Sequence, residues 1–377
     1  MKYPPNTREE LKDLVDDLSI NLGDIDTSKI TDMSSLFKNT KRTDLSGIEK
    51  WNVRRVWNMY GMFEGATSFN QDISKWDVSN VWDMYGMFRE ASSFNQDLSN
   101  WDVGRVRDMA CMFQDATSFN QDISGWDVSK VEYMNGMFFG ARAFNQPIGD
   151  WNVGNVKYMI GMFKEAISFN QPIGKWNVSN VKDMSSMFEG AESFNQPIGD
   201  WDVSRVVDMI NMFREAESFN QDISKWNVSN VRDMFAMFKE AESFNADISG
   251  WDVSNVRDMN YMFNGATSFN QDIGKWNVSN VKNMAAMFAR AESFNADISN
   301  WNVSKVWNMD GMFEDAKSFN ADISKWDVGN VKDMDSMFLG AKAFNQDLSN
   351  WDISGVEYID DETKELISNG CSNVRRV

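Results

Sequence analysis

Residues 51–75 read WNVRRVWNMYGMFEGATSFNQDISK, and the same phrase returns every 25 residues with no insertion or deletion. Trp marks the register at positions 51, 76, 101, 126, 151, 176, 201, 226, 251, 276, 301, 326 and 351, so twelve complete units lie between Trp51 and Asn350. A fixed period in the range of roughly 20–50 residues is the signature of a repeat architecture, in which one unit cannot bury its own apolar face and stacks on its neighbours. Function must then be read from a surface.

Spacing within the unit predicts local structure. Val56, Met59, Met62, Phe63 and Ala66 fall at helical intervals and predict a short helix with its apolar stripe facing the core. Phe69, Gln71 and Ile73 share one parity, and Trp76 and Val78 the other, which predicts two short extended segments with a corner at Ser74–Lys75. The expected fold class is an α/β repeat: an elongated solenoid with 25 residues per turn, one short helix and short parallel strands in each. At a strand spacing of about 4.8 Å, twelve such turns would extend about 60 Å.

The ends depart from the period. Residues 1–24 read as an N-terminal arm and a capping helix, in which Thr7 is the N-cap, Glu10 completes a capping box, and Leu11, Leu14, Val15 and Leu18 form the apolar stripe. Residues 25–50 are a degenerate first turn, with one extra residue and with Asp44 where Phe69 would stand. Residues 51–350 are the twelve repeats. Residues 351–377 combine a partial repeat, a polar capping helix at 360–368 and a loose tail from Gly370 to Val377.

Composition narrows the function. The net charge is −19 and there is no His, which argues against nucleic-acid binding because phosphate recognition needs a basic footprint. Cys111 and Cys371 lie too far apart along a stack to pair, so no disulfide framework is expected. No run of eighteen apolar residues and no apolar signal core is present, so no transmembrane segment is expected and the chain as it stands reads as soluble. Without His there is no Ser-His-Asp or Cys-His pair, no HExxH and no ordinary zinc set, and no glycine-rich phosphate loop leads into Lys. A paired-carboxylate glycosidase would need a singular acidic pair, whereas the acidic residues here repeat with the fold. The chain is read as non-enzymatic, with no cofactor and no catalytic residue.

Two polar columns call for structural explanations. Asn stands at 70, 95, 120, 145, 170, 195, 220, 245, 270, 295, 320 and 345 in every unit, beside a core Phe. An amide that both donates and accepts suits an asparagine ladder along the solenoid. Asp fills the column at 72, 97 and 122 and again at 222, 247, 272, 297, 322 and 347, which raises calcium binding as a possibility. Pro147, Pro172 and Pro197 interrupt that column and favour solvated corners instead. Asn177, Asn227, Asn277 and Asn302 form N-V-S sequons that follow automatically from the Asp/Asn turn column.

The phrase WDVSNVxDMxxMFxxAxSFNQDIS resembles the 25-residue repeat of BspA-like leucine-rich-repeat surface proteins, known from bacterial surface lipoproteins including those of mycoplasmas. The likeness covers about residues 25 to 359. It implies a right-handed leucine-rich-repeat-like solenoid displayed at the cell surface or outside the cell, used for adhesion or protein binding, with no catalytic motif to carry over.

What varies between units points to the working surface. The columns beginning at 57, 60, 61 and 64 would form one outward helix face, and they change at nearly every turn. Trp57, Tyr60, Trp82 and Tyr85 fall on the first two units, and Ile160, Val207, Ile210, Phe235, Tyr261 and Trp307 continue the row. Exposed aromatics rimmed by charge mark an interaction surface, so the expected partner is a protein or glycan on another surface. The competing reading is a structural component that self-associates into a cell-surface, virion or fibre layer. Such an array would favour one contact residue repeated at successive turns, whereas this row keeps changing.

Overall fold

The computed structural model describes residues 2–369. The chain divides after Val181 into two compact units, residues 1–181 and 182–377, and each is a coil of 25-residue turns. The expected tail, Gly370 to Val377 with Cys371, lies outside the described residues.

The first unit opens on α1, Arg8–Asp16, whose N-cap Thr7 accepts the Glu10 N–H at 3.2 Å. The Glu10 carboxylate returns to the N–H of Asn6 at 2.6 Å, one residue ahead of the partner that a capping box would use. Leu11 and Val15 are buried, but Leu18 lies beyond the helix and is exposed, so the apolar stripe is shorter than its sequence suggests. Arg42, which sequence reasoning did not single out, is buried in the degenerate first turn. Its guanidinium donates to the carbonyls of Val15, Asp17 and Ile20 at 3.1, 2.6 and 3.0 Å and ties the end of α1 to that turn.

From Trp51 onward the expected core columns are buried: Trp51, Val53, Val56, Met59, Met62, Phe63, Ala66, Phe69 and Ile73 all lie inside. The backbone path differs from expectation. The repeats contain no α-helix among the described residues; residues 60–65 form successive tight turns. Met59, Gly61, Phe63 and Gly65 send their N–H groups to Asp83, Tyr85, Met87 and Arg89, one turn on, at 2.9, 2.7, 2.9 and 2.8 Å. The intervening Met62, Glu64 and Ala66 donate three residues back within their own turn. An α-helix directs every N–H along its own axis. Here every second one leaves sideways.

That alternation needs a left-handed residue at regular intervals. Gly61 and Gly65 have φ of 54° and 68°, and at the same columns Glu90, Cys111 and Asp115 adopt 58°, 57° and 56°. The predicted strands are absent among the described residues as well, where direct parallel pairing is confined to isolated bridge residues, in the first unit the column Asn58, Asp83, Asp108, Tyr133 and Tyr158. Between Phe69 and Ile73 the asparagine ladder takes the place of a strand ladder. The N–H groups of Asn95, Asn120, Asn145 and Asn170 each donate to the side-chain oxygen of the Asn one turn earlier at 2.9 Å. Gln96 and Gln121 add their side-chain amides to the same oxygens.

The Trp column is both packing and polar. Trp76, Trp101 and Trp126 donate from Nε1 to Ile48, Ile73 and Leu98 carbonyls of the preceding turn at 3.2, 3.1 and 3.0 Å, so a buried donor is satisfied without water. Phe63, Phe88, Phe113, Phe138 and Phe163 stack with ring centroids 5.6–5.8 Å apart.

The second unit repeats this construction. Asp183, Asp208, Asp233, Asp258, Asn283, Asn308, Asp333 and Tyr358 form its bridge column, and Asn220 to Asn345 continue an asparagine ladder from Asn195. It ends on α2, Asp361–Asn369, close to the helix expected at 360–368. Asp360 accepts the Thr363 N–H with Oδ1 and the Ser336 N–H with Oδ2 at 2.7 Å. One carboxylate therefore caps the helix and satisfies the last full turn.

Candidate functional site

The exposed aromatics are placed by the bridge column. Trp57 immediately precedes bridge residue Asn58, and the N–H of Trp82 donates to the Trp57 carbonyl at 3.0 Å, so the turn spacing is passed to the side chains. The indoles stack with centroids 5.4 Å apart and planes 5° from parallel. Tyr60 is held by an Asx turn, its N–H donating to the Asn58 side chain at 2.9 Å, and Asp83 holds Tyr85 in the same way at 3.0 Å. Their rings stack at 4.9 Å and 7°. Trp57, Tyr60 and Trp82 remain 39%, 40% and 44% exposed, and Tyr85 is half-buried.

Tyr85 also touches Cys111. The thiol beside it, together with burial, pushes the phenol up to about 12, and burial raises the thiol in turn. Both groups are therefore protonated at neutral pH.

The other candidates separate into two kinds. Ile160, Val207 and Trp307 are exposed, whereas Ile210, Phe235 and Tyr261 are half-buried. Phe235 and Tyr261 meet edge to face at 6.0 Å, and the Lys239 ammonium lies 5.1 Å from the Tyr261 ring centroid. With no helix in the turn, the four variable columns do not share one outward face. The 57 column is mostly exposed, while Gly61, Gly86, Ala236 and Ala286 of the 61 column are buried.

One further pair was missed from sequence: Tyr133 and Tyr158 stand in the bridge column, exposed and stacked at 5.9 Å. Their signal was Tyr in place of Asp or Asn at two consecutive turns.

The Asp72 column forms Asx turns. Asp72, Asp97 and Asp122 accept the N–H groups of Ser74, Ser99 and Ser124 at 2.8–2.9 Å. Hydrogen bonds from those serines hold Asp72 and Asp122 below the usual carboxylate range. Among the described residues no group of three or more acidic, Cys or His side chains is placed to hold a metal ion. In the bridge column the direction reverses, and burial raises Asp83, Asp108 and Asp233.

The fold and this surface define a repeat solenoid with a varied, partly aromatic exterior. The family described as "Mycoplasma protein of unknown function, DUF285" matches in five overlapping stretches, residues 9–126, 107–220, 161–276, 193–298 and 269–369, and the chain belongs to that family. No curated protein matches.

Among solved structures, the chain is similar to the TLR13–ssRNA13 complex at 11% identity and a TM-score of 0.28, over 93% of this chain and 52% of that one. The functional domain of InlJ from Listeria monocytogenes, which includes a cysteine ladder, is 11% identical with a TM-score of 0.26, over 80% and 66%. An LRR protein of Leptospira interrogans is 6% identical with a TM-score of 0.18, over 97% of each chain. The chain thus spans about half of the first of these and about two thirds of the second. Among the described residues no helix is long and apolar enough to cross a membrane.

Proposed function

We propose that this chain is a non-enzymatic, surface-displayed binding solenoid of right-handed leucine-rich-repeat-like form, which adheres to a protein or glycan partner through its varied exterior. The observation that carries this reading is the pair of exposed stacks on consecutive turns, Trp57 on Trp82 and Tyr60 on Tyr85. Large aromatic surface left in water costs free energy unless a partner covers it, and flat, stiff side chains lose little entropy when covered. The repeated columns are occupied by folding. The varied ones are available for recognition.

The test replaces Trp57, Tyr60, Trp82 and Tyr85 together with Ser and compares adhesion to candidate host surfaces and molar mass by light scattering. Adhesion should fall by at least about tenfold, or about 1.4 kcal/mol, with the molar mass unchanged. Unchanged adhesion with a native oligomer collapsing to monomer would reject the adhesin and install a self-assembling structural component.

A further inference from the structure

Beside the Trp57–Trp82 stack basic side chains gather on an otherwise acidic chain. A cavity of about 610 Å³ is lined by Asn80, Trp82, Arg105, Arg107 and Lys130, and a smaller one of about 250 Å³ shares Arg107 and Lys130 and adds Glu132, Asn155 and Lys157. Arg105, Arg107, Lys130 and Lys157 thus face a single lining carboxylate, Glu132, which leaves three net positive charges on a chain of net charge −19.

The cations are arranged rather than scattered. The Asn80 amide donates to the Arg54 carbonyl at 2.8 Å, which fixes its oxygen to accept from Arg105 Nη1 at 2.8 Å. Glu132 is shared by Arg107, at 3.5 Å, and Lys157. Lys130 makes no ion pair among the described residues, and its charge helps to lower the Asp127 carboxyl. One face of Trp82 is covered by Trp57, Arg107 follows one turn on with its N–H on the Trp82 carbonyl at 2.9 Å, and the Trp82 side chain lines the cavity beside Arg105, Arg107 and Lys130.

We infer that this cavity binds an acidic saccharide, a pyranose carrying a carboxylate or sulfate, with the sugar ring against Trp82 and the anion between Arg105, Arg107 and Lys130. This rests on the binding reading above and names the ligand chemistry of one part of that surface. The apolar C–H face of a pyranose packs on the electron-rich face of an indole, while a guanidinium fork matches a carboxylate or sulfate with two parallel hydrogen bonds. A long polyanion fits less well. Its charge would extend beyond this local patch into the field of a strongly acidic chain, whereas a saccharide with one or two charges stays within it.

The test is calorimetric titration of the full chain with sialyllactose, with singly sulfated 3′-sulfolactose, with lactose as their uncharged counterpart and with single-stranded oligothymidine. Sialyllactose or the sulfated sugar should bind at least about tenfold more tightly than lactose. Trp82→Ala and the double variant Arg107→Gln, Lys130→Gln should each lose about tenfold, with melting temperatures unchanged. Lactose binding equal to the acidic sugars, acidic sugars binding equally to Trp82→Ala, or preferential binding of oligothymidine would each overturn the inference. Tyr60→Ser, Tyr85→Ser separates the two proposals. If acidic sugars fail to bind while this variant still loses adhesion, the saccharide site falls and the binding solenoid stands; if acidic sugars bind and adhesion survives the quadruple Ser variant, the reverse holds.

Discussion

The backbone N–H of Asn145 donates to the side-chain oxygen of Asn120, 25 residues earlier, at 2.9 Å, and the Gln146 amide donates to the same oxygen at 2.9 Å. One side chain thus satisfies the backbone that a neighbouring strand would satisfy in a sheet. Asn120→Ala would remove the acceptor and leave the Asn145 N–H without its partner, costing about 1–3 kcal/mol. Asn120→Asp keeps an oxygen in place and should cost less. Denaturant titration of both variants checks the order, and equal losses would mean that the oxygen is not what matters.

The left-handed columns give two opposite expectations. Glu165 adopts φ of 55°, a conformation that strains a residue with a Cβ, so Glu165→Gly should stabilise by about 0.5–1 kcal/mol. Gly140 has φ of 66°, and a Cβ there would lie 2.2 Å from Asp115 Oδ1. Gly140→Ala should therefore destabilise by more than about 1 kcal/mol. Thermal melts of the two variants should move in opposite directions. A shift in the same direction would count against the alternating backbone.

In the bridge column, burial and the neighbouring Asp258 and Asp208 raise the Asp233 carboxyl. A raised carboxyl pKa means that folding disfavours the charged form, so Asp233 lowers stability above its folded pKa and ceases to do so as pH falls to the unfolded value of about 3.9. Asp233→Asn keeps the acceptor for the Phe235 N–H and removes the charge, as Asn283 and Asn308 do naturally. It should stabilise by about 0.2–1 kcal/mol at neutral pH, and the gain should vanish below about pH 4. The Asx-turn carboxylates behave oppositely. Asp72, Asp122 and Asp222 are lowered, so their contribution is present above the unfolded pKa and is lost as pH falls through the folded one. A gain for Asp233→Asn that persists in acid would show that charge is not its source.

At the N-terminal end, Arg42→Ala would strip hydrogen bonds from three carbonyls around α1 at a cost of about 2–4 kcal/mol. Because repeat coils open locally, the readout is amide hydrogen exchange. Faster exchange in α1 with unchanged exchange in the turns beyond residue 100 is expected, and uniform loss would contradict the local role.

The period, the core columns and the asparagine ladder were legible because each is repeated under the same packing constraint. The backbone path was not. Val56, Met59, Met62, Phe63 and Ala66 fit a helix stripe, but the same offsets fit tight turns with left-handed residues at two positions four apart, 61 and 65. The distinguishing signal was glycine: Gly61, Gly86, Gly136, Gly161 and Gly311 share one column, and Gly65, Gly140, Gly190, Gly265 and Gly340 another, all at positive φ. A buried helix stripe gives no reason for such columns. The strand assignment failed for a related reason, since Asn side chains can replace ladder bonds between backbones. The cation cluster at Arg105, Arg107 and Lys130 was hidden in two columns that also hold Asn and Trp, and only stacking of the turns brings it together.

The most direct measurement of the recognition surface is oxidative footprinting of the chain, free and bound to a surface it adheres to, with exposed Tyr358 as the internal reference. The account predicts that Trp57, Tyr60, Trp82 and Tyr85 lose reactivity on binding while Tyr358 keeps it. Full reactivity of those four residues in the bound chain would contradict it.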